Sequence, residues 1–158
     1  MSARERSSQL TRLVERIIEE KQLEKFQEYW ELYEETCPVN SVAAFYLRTE
    51  ARADYLGRKS GDYCNVAIIG DKLLVDIEAD DSDDSGNLIV QPLRSFSDIS
   101  IHIGPLRNLE SSRDASLVVL ANRAGDEEVG LHWVAKTEED EDHLLEFAKV
   151  LIRVVSEK

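Results

Sequence analysis

The densest run of chemistry-bearing side chains is Asp76–Gly86, DIEADDSDDSG. Asp81, Asp83, Ser85 and Gly86 stand where the first half of a calcium loop places oxygen ligands at alternate positions before a tight turn. The second half does not follow, because the twelfth position counted from Asp81 is Pro92, where a bidentate glutamate is needed. The run therefore reads as a solvated loop between two strands. Three histidines remain, His102, His132 and His143, with no shared ligand spacing and no neighbouring cysteine. His102 and His132 could face each other across a sheet. Cys37 and Cys64 show neither metal-ligand spacing nor a disulfide framework. No nucleophile elbow, phosphate-cradling glycine loop or dinucleotide fingerprint is present. The pattern predicts no catalytic residue, no cofactor and no metal.

Recognition chemistry is better represented. Phe26, Tyr29, Trp30 and Tyr33 cluster in the first third of the chain, where aromatics either pack a helix onto its host or anchor a partner. Phe96 and His102 fall in a later strand region, Pro92–Ile103. Phe26, Trp30, Tyr33, Phe96 and His102 are thus the candidate protein-binding surface. The formal charge of −13 over 158 residues disfavours nucleic acid and anionic lipid, both of which select clustered Lys and Arg. The first residues, SARERSSQ, are polar and give no secretory signal, and the longest apolar runs are far short of a membrane span. A reducing cytoplasm is the expected setting, and protein the expected partner.

The elements that must position these residues follow from periodicity. Ser7 and Ser8 can cap a helix with apolar positions Leu10, Leu13, Val14, Ile17 and Ile18. The stripe resumes, out of phase, at Leu23, Phe26, Trp30 and Tyr33, so this is one curved helix or two in succession. Ser41–Leu56 is ambiguous. The preferred reading is a helix with stripe Val42, Phe45, Thr49, Ala53 and Leu56, stopped by Gly57; the other is a strand over Val42–Leu47. From Asp62 the pattern changes to strands. Tyr63–Ile69 and Lys72–Glu78 flank Gly70-Asp71, read as a two-residue turn with glycine first. Asn87–Leu93 is a third strand, in which Pro92 marks its end or an edge. In Ile99–Ile103 the three isoleucines are expected inward, with Ser100 and His102 outward. Ser116–Ala121 and Val129–Lys136 complete about six antiparallel strands. Thr137 then caps a helix whose stripe is Leu144, Phe147, Ala148, Leu151 and Val155, with Glu138, Glu139 and Asp140 at the positive end of its dipole. The fold class is α+β: an antiparallel meander or partly open barrel of six to seven strands, capped by a C-terminal helix. Residues 1–57 form an N-terminal helical extension and residues 58–158 the β domain.

A meander of this length closed by a helix resembles the pleckstrin-homology-like barrel. The Gly70-Asp71 turn followed by Lys72-Leu73-Leu74-Val75 is similar to the first hairpin of short bacterial members and of the related GRAM domains. Pro92–Ser100, PLRSFSDIS, resembles their passage of proline and leucine followed by serine, aspartate and isoleucine. The resemblance spans about residues 62–158 and implies a noncatalytic recognition module. Phosphoinositide-binding members carry basic residues around the first hairpin; here only Lys72 stands there, with Arg58 and Lys59 upstream, so headgroup binding is not expected. Two other functions fit parts of the pattern. A small acidic secretion-type chaperone matches in size, charge and mixed composition, and predicts a dimer holding an extended client. An enzyme would need His102, His132 and the acidic loop to converge.

Overall fold

A computed structural model of the chain describes residues 1–123, 125 and 130–157. It divides into two compact units, Met1–Gln91 and Pro92–Lys158. The division falls at the last residue of the fourth strand rather than at Gly57, because residues 44–53 pair into the first sheet and so do not separate as a helical extension.

The first unit opens with two helices, α1 (Ala3–Lys21) and α2 (Glu24–Thr36). The out-of-phase stripe is thus two helices, broken where Gln22 takes a left-handed φ of 54°. The cap of α1 is Ser2, whose hydroxyl accepts from the Glu5 amide at 3.1 Å; Ser7 lies inside the helix and donates to the Val39 carbonyl instead. Strands β1 (Ala44–Ala53), β2 (Lys59–Ile69), β3 (Leu73–Asp80) and β4 (Ser85–Pro92) then follow in sheet order. The preferred helix at Ser41–Leu56 is overturned: β1 pairs antiparallel with β2 from Ala44↔Ile69 to Arg52↔Gly61. Phe45 and Leu47 thereby join Cys64, Val66 and Ile68 of β2 and Val75, Ile77 and Ala79 of β3 on one face, against Leu10 and Val14 of α1 and Phe26, Trp30 and Tyr33 of α2. Gly57 turns the β1–β2 hairpin at φ 78° rather than ending a helix. The β2–β3 connection also differs from the expected glycine-first turn, since the left-handed residue is Lys72 at φ 65°. Gly70 is needed for close approach, because a Cβ there would clash with a Val39 methyl.

The second unit holds a three-stranded antiparallel sheet of β5 (Phe96–Ile103), β6 (Leu117–Arg123) and β7 (Leu131–Ala135), in that order, followed by α3 (Glu138–Ser156). The expected start of the last strand, Val129, lies outside the described residues. The helix is built as its sequence dictates. Thr137 Oγ1 accepts from the Asp140 amide at 3.1 Å, and Leu144, Phe147, Ala148, Leu151 and Val155 are all buried. Phe147 meets the Trp133 ring of β7 edge-on at 5.3 Å between centroids. This places α3 on the face carrying Val119 and Trp133. The opposite face carries Val118, Leu120 and Val134, covered by Leu106 and Leu109 of the long β5–β6 loop. The seven strands form two antiparallel sheets, neither closed on itself.

Candidate interaction surface

Four of the five expected surface residues are core. Phe26, Trp30 and Tyr33 stack along α2, with 6.5 Å and 5.0 Å between successive ring centroids, and are almost fully buried against the sheet. The Tyr33 hydroxyl accepts from the Val39 amide at 2.9 Å, satisfying its polar tip. Phe96 is fully buried at the start of β5. The correction has a simple cause: an aromatic stripe at helical spacing recovers more free energy by packing on its own sheet than by facing water. His102 alone stays partly exposed, with Nε2 3.2 Å from the Ser100 hydroxyl.

The acidic loop is spent on architecture. Asp81 reaches across to α2, where Oδ1 accepts from the Lys25 amide at 2.9 Å, and Asp84 pairs with the Lys25 ammonium at 3.0 Å. Leu23, at the N-cap position of α2, offers no side-chain acceptor, so Asp81 is a cap supplied from 56 residues away. Burial raises the Asp81 carboxyl above its ordinary range, the amides of Lys25 and Glu24 pull it down, and the charges of Glu24 and Asp80 push it up again. Asp80 and Asp83 each turn the chain by accepting from the amide two residues on, at 3.0 Å from Ser82 and 3.1 Å from Ser85. No group of three acidic, histidine or cysteine side chains could hold a metal among the described residues.

The histidines do not converge. His102 pairs with Val118 and His132 with Leu120, so β6 separates them. His132 Nε2 lies 2.9 Å from the Ser111 hydroxyl, which ties the β5–β6 loop to β7. His143 is exposed on α3. Cys64 is fully buried, and burial pushes its thiol far above the usual range; Cys37 sits half-buried at the C-cap of α2.

On the face of the first sheet away from the helices, Arg48 and Arg52 both lie 4.9 Å over the Tyr63 ring. Arg52 bonds Glu50 at 2.6 Å and Asp80 at 3.2 Å, and the Tyr63 hydroxyl donates to Glu78 at 2.9 Å. Asn65 donates to Asp76 at 2.9 Å and to the Ile77 carbonyl at 3.0 Å. Burial, and then the neighbouring Glu78 charge, push the Tyr63 phenol far up, so it stays protonated and is no base at neutral pH. With each guanidinium already paired to a carboxylate, this belt is an internal ion network rather than an anion site. Of the basic residues near the hairpins, Arg58 bonds Asp54 at 2.9 Å and Lys59 lies 3.7 Å from Asp62.

The outer edge of β5 is different. Its isoleucines, expected inward, share the face of α3 through the pairs Ile101↔Val119 and Ile103↔Leu117, yet Ile101 is 40% exposed and Ile103 94%. Alternation determined which face they share, but β5 lies at the sheet margin, where that face is incompletely covered. The Gly104 amide bonds the Ser116 carbonyl at 3.0 Å, which makes Gly104, His102 and Ser100 the inward-bonded positions. The backbone groups of Ile99, Ile101 and Ile103 therefore point away from β6. The sequence pattern pointed to this strand but not to the exposure of Ile101 and Ile103 on it. It also missed the loop beyond it, where Pro105, Leu106, Leu109, Arg107 and Arg113 line a concavity of about 430 Å³. The available signal was two arginines and two leucines interleaved in an otherwise acidic chain.

Comparison with protein-family models, with curated proteins and with solved structures finds no match. No helix among the described residues is long and apolar enough to cross a membrane.

Proposed function

We propose that the chain is a noncatalytic protein-interaction module of the pleckstrin-homology-like type, which receives an extended segment of a partner protein along the outer edge of β5. The observation that carries this reading is an edge strand on which Ile101 and Ile103 both turn their backbone groups away from β6 and hold their side chains exposed. Main-chain bonds from such an edge supply affinity, and the alternate side chains supply selectivity. The order of elements also supports it: four antiparallel strands, then three, then a helix laid on the second sheet. A reducing, cytoplasmic setting goes with this function, since both cysteines are free.

The test is titration of the isotope-labelled chain with an eight-residue peptide of alternating valine and threonine, followed by amide chemical shifts. Shifts centred on Ile99, Ile101 and Ile103, lost in the Ile101→Asp/Ile103→Asp double variant, are expected. Shifts that avoid β5, or no shifts at millimolar peptide, would reject strand addition. Light scattering separates this function from that of an acidic chaperone, which requires a dimer.

A further inference from the structure

We infer that the segment docking on β5 is two-faced, with aliphatic side chains on one side and carboxylates on the other. The inference rests on the proposed strand addition and names its ligand class. A strand added to β5 alternates its side chains between the two sheet faces. On the α3 face they meet Ile101 and Ile103, which select aliphatic groups. On the opposite face they meet Ser100 and His102, and beyond Ile103 the chain enters the loop that carries Arg107 and Arg113. Both guanidiniums are exposed, and neither has an ion-pair partner among the described residues, in contrast to Arg48, Arg52 and Arg58. Glu110 also lines the loop concavity, and it forms no ion pair with either.

Two exposed cations in the loop that leaves the end of an edge strand, in a chain of net charge −13, are the complement of a carboxylate-bearing face. Antiparallel pairing is the more stable arrangement. It places the amino-terminal half of the docked segment at the arginine loop, because β5 runs from Phe96 toward Gly104. The carboxylates therefore belong in that half, on alternate residues.

The experiment uses the full chain and three labelled eight-residue peptides, in which valine alternates with glutamate, threonine or lysine, read by fluorescence anisotropy. The glutamate peptide should bind about tenfold more tightly than the threonine peptide, and the lysine peptide more weakly than either, with the preference collapsing in high salt. The Arg107→Glu/Arg113→Glu double variant, altered only at exposed positions, should reverse the order. Equal affinity for all three peptides, unchanged in the double variant, would overturn the carboxylate inference while leaving strand addition standing. No binding of any peptide, together with no shift at the β5 amides, would overturn both.

Discussion

Replacement of Asp81 separates two contributions that usually travel together at a helix start. Asp81→Ala removes the acceptor for the Lys25 amide at the second position of α2, in a helix whose own N-cap residue, Leu23, supplies none. The loss of such a cap costs about 1 kcal/mol. Asp81→Asn keeps an acceptor of the same reach and removes only the charge. That charge is held against burial and against Glu24 and Asp80, so its carboxyl sits above the ordinary value of 3.8. A raised carboxyl means that the folded chain binds the proton more tightly than the unfolded chain. Stability from this group is therefore gained on acidification and lost as pH rises through its folded value. At pH 7 the asparagine variant should then match the wild type within about 0.5 kcal/mol, while the alanine variant falls about 1 kcal/mol below both. Between pH 7 and pH 4 the wild type should improve relative to the asparagine variant. Urea unfolding monitored by tryptophan fluorescence at the two pH values measures all three differences. If asparagine is as damaging as alanine at pH 7, charge rather than capping geometry stabilises this helix start and the reasoning fails.

Three further outcomes follow from packing and burial. Gly61→Ala forces a Cβ to 2.8 Å from the Ser82 amide nitrogen at a φ of 128°, whereas Gly57→Ala has open space at φ 78°; urea unfolding should show the first costing roughly 2–3 kcal/mol and the second about 1. Equal losses would contradict the close approach of β2 to the acidic loop. A thiol reagent should modify Cys37 in the native chain and reach Cys64 only on unfolding, because Cys64 is fully buried and its thiol held protonated. Tyr63 is raised from 10.0, so its contribution is intact below pH 10 and lost above it; between pH 10 and 11 stability should fall by up to about 1.4 kcal/mol more in the wild type than in Tyr63→Phe.

What could be read from sequence was local. Thr137, the acidic first turn and the stripe Leu144–Val155 all act within one helix, and each signal agreed with the structure found. The turn around Gly70 was visible because strands flank it closely, although Lys72 rather than glycine takes the left-handed conformation. Residues 44–53 were misread because Val42, Phe45 and Thr49 satisfy a helical period, and only pairing with Cys64–Ile69 decides between the alternatives. The capping role of Asp81, in a run read as a solvated loop, was not legible because its partner, the Lys25 amide, is distant in sequence. Periodicity grouped Ile101 with Ile103 but carried no information about the edge of the sheet.

Ser112 is wholly buried, and its hydroxyl serves the amide of Leu106 at 2.9 Å and the carbonyls of Leu106 and Leu109 at 3.0 and 2.6 Å. One side chain thereby closes the bend that displays Arg107, while Leu106 and Leu109 press the bend onto the sheet. A rigid presentation of this kind has been paid for during folding. In the proposed docking, an incoming chain gives up its own freedom but not that of this bend, so weak individual contacts suffice for measurable occupancy. Ser112→Ala should leave Arg107 and Arg113 chemically intact and still weaken binding of the glutamate peptide by anisotropy, since the bend would have to be re-formed at each encounter.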